Sequence, residues 1–424
     1  MWSVLRNPTY AKLFCAQVIA LLGTGLLTVA LGLLAFDIAT DAAGSVLGTA
    51  LTIKMIAYVG VAPLIAALVD RLPKKAVLVS ADLVRLAIAL TLPLVTQPWQ
   101  VYALVFVLQS ASATFTPAFQ SLIPAVLPEA RQYTRALSLS RLAYDLESLL
   151  SPMIAAALLS FVAYNFLFVG TAAGFAISTS LVLASRLPHI PNEQAEHTFW
   201  QRVPLGVQVF ARTDTLRFLM LANVVAAVGT SLVLVNSVVY ARGVYHLGDT
   251  ALAITLACFG VGSLLAAPNI PWILERFTVV HTMLVGAAIV TAALLSAVIV
   301  TAAAPRGAGW GWLLATWTLL GLGTSLVSTP SSRLLADAST AKNRNLVYTA
   351  QFALSHACFL FAYPIAGWIG SVSLLAAAAV LAGLALLATV AATIFALRRN
   401  LRTASDETLT QPEAGATVLR KARP

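Results

Sequence analysis

Residues 66–85 read AALVDRLPKKAVLVSADLVR. A short charged turn, with Asp70, Arg71, Lys74 and Lys75, is wedged between two long apolar runs. Upstream, residues 45–69 carry one charge, Lys54; downstream, residues 86–118 carry none. A helix needs roughly 20 apolar residues to cross a bilayer. The turn therefore marks where one membrane span ends and the next begins. Asp82 and Arg85 follow at the start of the second span. Their spacing of three places them on one helix face, where they can pair with each other or with Asp70 and Arg71.

Composition extends this reading to the whole chain. Its 424 residues are 59% hydrophobic and only 10% charged, against about 25% charged in soluble domains. The class is an all-α, polytopic membrane protein. The net charge of +10 is a topology signal here, and no nucleic-acid partner is expected. Cys15, Cys258 and Cys358 all lie inside apolar runs, which predicts no structural disulfide. No cleavable leader is expected, because the first apolar run is too long and lacks a suitable small-residue site.

Twelve apolar segments predict twelve transmembrane helices, near 13–36, 45–69, 76–96, 99–120, 138–161, 164–186, 217–240, 250–274, 279–303, 309–332, 346–369 and 372–397. Backbone groups in lipid must bond within their own segment, so these runs are read as helices. With the N-terminus inside, all but three of the 26 Lys and Arg fall on the cytoplasmic side; the exceptions are Lys54, Arg242 and Arg306. That imbalance predicts two cytoplasmic termini. The expected division is a six-helix bundle over 1–187, a polar central loop over 188–216, a second bundle over 217–402 and a disordered tail over 403–424. The two bundles repeat each other. Gln17…Gly23-Thr24 returns as Asn223…Gly229-Thr230, Asp70-Arg71 as Glu275-Arg276, Pro117 as Pro330 and Pro152 as Pro364, each about 210 residues on.

The 66–75 segment resembles the loop between helices 2 and 3 of the major facilitator superfamily, whose pattern is G-x-x-x-D-R-x-G-R-K. Asp70-Arg71 and Lys74-Lys75 match it, while Ala66 and Pro73 replace both glycines. The resemblance implies a fold of two pseudo-symmetric six-helix halves with the substrate site between them near the midplane. It also implies that Asp70, Arg71, Lys74, Lys75, Asp82, Arg85, Glu275 and Arg276 form a cytoplasmic latch between the halves. An ordinary positively charged turn is the plainer alternative. Arg6-Asn7-Pro8-x-Tyr10, Asp82-x-x-Arg85 and Pro128-Glu129…Arg135-Ala136 resemble the drug-and-siderophore efflux branch, which includes macrolide exporters. Ser151-Pro152-x-x-Ala155 keeps the proline of the antiporter pattern G-x-x-x-G-P-x-x-G-G but none of its glycines.

Ionisable groups inside spans are functional candidates by default. Lys54 lies about nine residues into its span, some 14 Å along it at 1.5 Å per residue. It can attract an anionic substrate or pair with an acid across helices. Asp145 has Arg141 four residues before it, and the two are read as a structural pair. Glu147 points about 200° away from Asp145 and has no local basic partner. It is the first candidate for a coupling proton, with a cross-helix ion pair as the alternative. Asp37 ends the first span and is either a proton or cation entrance or an interfacial residue. Gln17 and Asn223 can line a cavity or join helices.

His356 is either a packing histidine or a metal ligand. Ser355-His356-Ala357-Cys358 and Tyr363-Pro364 resemble segments of nickel-resistance permeases. Such permeases often carry a histidine-rich tail, and residues 398–424 contain no histidine. The chain contains no H-E-x-x-H, G-x-S-x-G or P-loop pattern, so neither an enzyme nor a cofactor is expected. The expected function is proton-coupled efflux of a small organic solute by a monomer in the plasma (inner) membrane. Export of a divalent metal is the second reading.

Overall fold

The computed structural model describes residues 2–61, 72–187, 207–303, 309–338 and 344–399. Asp70, Arg71, most of the central connection and the tail lie outside the described residues, as do the side chains of Arg141 and Asp145. The first six helices are α1 (Pro8–Ala39), α2 (Ala43–Ile56), α3 (Lys74–Thr91), α4 (Pro98–Val126), α5 (Ala130–Leu159) and α6 (Asn165–Leu183). The next six are α7 (Asp214–Val238), α8 (Asp249–Ala266), α9 (Val279–Ala303), α10 (Trp310–Asp337), α11 (Arg344–Pro364) and α12 (Leu374–Arg399). Each occupies one of the positions expected from the apolar runs.

Among the described residues, ten helices are long and apolar enough to cross a membrane. The other two, α4 and α5, have 29 and 30 residues. At 1.5 Å per residue each exceeds a hydrocarbon core of about 30 Å. Two boundaries depart from the apolar runs for local reasons. Helix α5 starts at Ala130, just after Pro128 and Glu129, because its first turns are helical but polar. Helix α8 stops at Ala266, where Pro268 and Pro271 interrupt the backbone ladder and leave a 3-10 turn and a short helix, Ile270–Leu274.

Local chemistry sets the start of α1. Asn7 Oδ1 accepts from the Thr9 and Tyr10 amides at 3.0 and 3.1 Å, and Pro8 fills the first helical position. Such a cap contributes about 1 kcal/mol. Tyr10 then donates its hydroxyl proton to the Ala136 carbonyl at 3.2 Å, tying α1 to α5. Lys12 and Lys75 donate to carbonyls at the end of α6, and Arg399 meets Asp214 at 3.6 Å. Each half therefore begins and ends at one face of the bundle, called here the near end.

Helices α1–α6 pack on one another, as do α7–α12, and α2, α5, α8 and α11 join the halves. In the second half the Trp317 indole N–H donates to Ser237 Oγ at 2.7 Å, and the ring stands edge-on to Tyr240 with centroids 5.2 Å apart. Leucines such as Leu83, Leu90, Leu387 and Leu397 point outward and exposed, as side chains facing lipid tails do.

One close crossing between halves joins α2 to the π-helical turn Ile365–Ile369 that follows Pro364. Proline has no amide proton to continue the helical ladder, and a π-turn absorbs the mismatch. The turn lays Gly367 against Gly48 and sets the Trp368 indole to donate to Thr49 Oγ1 at 2.9 Å. A Cβ on Gly48 would lie 2.8 Å from Gly367 Cα and 2.9 Å from the Tyr363 carbonyl oxygen. Gly48→Ala is expected to lower the melting midpoint of the purified protein through an overpacking cost of about 1–3 kcal/mol. Gly383→Ala, whose Cβ meets nothing within 4 Å, is the control. It is expected to leave the midpoint unchanged or raise it through a helix-propensity gain of about 0.5–1 kcal/mol. Equal destabilisation by both would contradict the close crossing.

Candidate functional site

A cavity of about 160 Å³ lies between the halves. Helices α1, α2 and α5 line it from the first half, and α7, α8 and α11 from the second. These are the corresponding helices of the two repeats. Most of the wall is apolar, including Leu47, Leu51, Leu234, Leu256 and Phe259. The ionisable side chains in it are Lys54, Glu147 and Tyr363, accompanied by the hydroxyls of Thr28, Ser151 and Thr230.

Lys54 and Glu147 are both half-buried and both face this cavity. Each is the charged group that acts on the other. Among the described residues neither makes a direct ion pair. The structure thus brings together two residues that were separate candidates in the sequence. Gly25 on α1 makes room for them. A Cβ there would overlap the Ser151 side chain and lie 3.0 Å from Glu147 Oε1. Ser151 Oγ is buried and has no hydrogen-bond partner among the described residues. Ser151 sits one turn after Glu147, so both face α1 from the same side of α5.

The other candidates fall elsewhere. Gln17 accepts from Ser140 Oγ at 3.2 Å, and Asn223 donates to Gln351 Oε1 at 3.2 Å. The first bond joins α1 to α5 and the second joins α7 to α11, so the repeat seen in the sequence reappears as equivalent helix-to-helix bonds. His356 stacks on Tyr58 with centroids 5.5 Å apart and on Phe352 at 4.1 Å, and its Nδ1 lies 2.7 Å from the Phe352 carbonyl oxygen. Tyr58 belongs to the π-turn Ala57–Val61, one turn past Lys54. Cys358 donates to the Leu354 carbonyl instead of facing His356. Among the described residues no group of three or more His, Cys, Asp and Glu side chains is placed to hold a metal.

Of the expected latch residues, Asp70 and Arg71 lie outside the described residues. Asp82 and Arg85 pair with each other and are buried. Ser178 donates to Asp82 Oδ2 at 2.6 Å, and the Arg85 guanidinium lies between the Phe115 and Phe175 rings at 4.5 and 4.6 Å. These contacts join α3, α4 and α6 of the first half. Lys74 is half-buried at the start of α3, and Lys75 caps α6. Glu275 and Arg276 are exposed, with the Arg276 guanidinium 4.0 Å above the Trp272 ring.

At the end of the bundle opposite the near end, Asp37 does cross between halves. Arg242, in the π-turn Val239–Val244 after α7, bonds Asp37 Oδ1 at 2.6 Å and also bonds Asp249 at the start of α8. Its guanidinium lies 5.3 Å from the Phe36 ring centroid. Tyr164, just before the start of α6, lies beside Asp37; burial first, then the neighbouring carboxylate, push its phenol upward. Thr250 Oγ1 donates to the Leu159 carbonyl at 3.5 Å, a second bond across this far end. Spacing within one helix gave no sign of Arg242, Asp249 or Tyr164 as partners of Asp37.

A family model described as Major Facilitator Superfamily matches residues 13–303 and, a second time, residues 219–423. Macrolide efflux protein A of Enterococcus faecalis is 26% identical over 189 residues, 42% of this chain and 58% of that protein. Macrolide efflux protein A of Streptococcus pyogenes is 26% identical over 193 residues, 43% of this chain and 47% of that one. The chain thus spans about half the length of the curated relatives it matches. A POT family transporter in complex with a thioalcohol-conjugated peptide superposes with a TM-score of 0.71 at 12% identity, covering 92% of this chain and 96% of the other. The nucleoside transporter NupG superposes at 0.66 with 16% identity, covering 91% and 99%. At such identities these two structures establish the fold.

The contact of Gly25 with the α5 side chains has a direct check. Gly25→Ala is expected to cost about 1–3 kcal/mol by overpacking, read as a lower melting midpoint. Because the new methyl would collide with the Ser151 side chain, Ser151→Gly in the same chain is expected to restore most of the loss. Additive destabilisation in the double variant would contradict the contact.

Proposed function

The chain belongs to the major facilitator superfamily and is a transporter, and on that premise we propose that it exports a small organic solute in exchange for protons by alternating access. The observation that carries this reading is Lys54 and Glu147 in one cavity walled by three helices of each half. A charge in a low-dielectric interior is costly unless it is paired or neutralised. Glu147 has two ways to meet that cost. It can take a proton, or it can take a cationic partner. A cavity that exchanges one for the other couples a proton to a solute. Lys54 keeps the site from collecting cations without limit.

The bundle supplies the alternation. Among the described residues the near end holds Lys12, Lys75 and Arg399, and the excess of Lys and Arg that the sequence puts on that side assigns it to the cytoplasm. The far end, with Asp37, Arg242 and Asp249, is then outside, and its contacts shut the cavity from that side. The Gly48–Gly367 crossing and the three π-turns lie where the halves meet and serve as the pivot. Among these contacts Asp37–Arg242 acts as an external latch, while Asp82 and Arg85 hold the first half rigid. The two halves correspond to 1–187 and 217–402, the chain works as a monomer, and it resides in the plasma membrane with both termini cytoplasmic. The macrolide efflux relatives agree with outward transport of an organic compound.

The test is growth of an efflux-deficient bacterial host expressing the chain, across a panel of organic drugs with nickel and cobalt alongside. Wild type is expected to protect against at least one organic compound, and Glu147→Gln, shown to reach the membrane, to lose that protection. Protection that persists in Glu147→Gln would contradict proton exchange at this residue. Protection against nickel or cobalt alone would transfer the function to metal export.

A further inference from the structure

The transporter reading leaves the cargo open, and the cavity narrows it. Resting on that reading, we propose that the cargo is a small amphoteric solute whose cationic group sits on Glu147 and whose anionic group sits on Lys54. The two protein charges are of opposite sign, line the same cavity and make no direct pair among the described residues. A gap between an ammonium and a carboxylate is complementary to a molecule carrying one of each, in the reverse order.

Other ligand classes leave something unpaired. A simple amine would satisfy Glu147 and leave Lys54 facing apolar wall. A simple carboxylate would satisfy Lys54 and leave Glu147 to keep its proton, so that no proton would be exchanged. A neutral molecule would displace solvent from both and repay neither. A buried charge left without a partner is far more costly than an unmade neutral contact. Ser151 Oγ, buried without a partner among the described residues, adds a hydroxyl beside Glu147 for the polar part of the solute.

Size points the same way. The cavity holds about 160 Å³, below the roughly 300–1,000 Å³ of sites for drug-sized molecules. A compact solute fits between the two charges; Leu51, Leu234 and Phe259 contact its carbon skeleton. Exchange with a proton then balances. Protonated Glu147 gives its proton to water as the solute's ammonium takes its place on the carboxylate, and the solute's own charges cancel those of Lys54 and Glu147.

Binding to the purified full chain in lipid nanodiscs, followed by isothermal titration calorimetry, tests this. The probes are 4-aminobutanoate and 6-aminohexanoate, with butylamine, hexylamine, butanoate and hexanoate as single-charge counterparts. One of the amino acids is expected to bind about tenfold or more tighter than its amine and its carboxylate, the loss anticipated for one charge-assisted bond. Lys54→Met is expected to abolish the advantage over the amine, and Glu147→Gln the advantage over the carboxylate. Equal binding of the three members of a set by wild type, or no binding of either amino acid, would overturn the proposal without depending on how the variants fold. Glu147-dependent protection of cells combined with equal binding would sink the amphoteric cargo and leave proton-driven export standing. Selective amino-acid binding with protection intact in Glu147→Gln would do the reverse.

Discussion

Lys54 and Glu147 are held near each other, but not together, in the middle of a lipid-embedded bundle. That constraint organises the rest. Two opposite charges in an apolar interior need helices close enough to enclose them and space enough to keep them apart. Gly25 gives the space on one side, since any side chain there would collide with Ser151 and crowd the Glu147 carboxylate. Gly48 and Gly367 give the closeness on another, through a crossing in which neither backbone tolerates a methyl group. Pro364 and its π-turn place Gly367 where that crossing needs it. The apolar wall from both halves keeps the field between the charges strong.

The far-end cluster shows how such a bundle can open without stranding a charge. Arg242 bonds Asp249 from its own half and Asp37 from the other. If the halves part, Arg242 keeps Asp249, and Asp37 keeps Tyr164, which lies in its own half. Asp37 is exposed, so when the contact breaks water can take up its charge. Here both groups retain a neighbour, so the contact can break and reform. The Asp82–Arg85–Ser178 group has the opposite character. It is sealed between two phenylalanine rings within one half and has no counterpart across the interface among the described residues.

Much of the fold was legible in the sequence, because a run of some 20 apolar residues has one solution in lipid. The helix positions and the repeated Gln17 and Asn223 positions follow from one-dimensional patterns. The site was legible only in parts. Lys54, Glu147 and Asp37 stood out as charges in apolar surroundings, yet their partners come from other helices. Spacing within a helix reports neighbours three and four residues away and no others. That rule found Asp82 with Arg85 and could not find Asp37 with Arg242. Gly25 and Gly48 carried no signal, being two of 24 glycines; only packing shows which of them touch something. Of the latch residues implied by the turn at 70–75, Asp82, Arg85 and Lys75 bond within the first half, while Asp70 and Arg71 lie outside the described residues.

The central claim is that one cavity, carrying both charges, faces alternate sides of the membrane. Thr28 lines that cavity without belonging to either charge. The decisive measurement is labelling of Thr28→Cys in cells by a membrane-impermeant thiol reagent applied from outside, after replacing Cys15, Cys258 and Cys358 with alanine. The account predicts slow labelling with Arg242 intact and fast labelling once Arg242→Gln releases the far end, with labelling from the cytoplasmic side of inverted vesicles changing in the opposite sense. Labelling from outside that is already fast, or unmoved by Arg242→Gln, would contradict it.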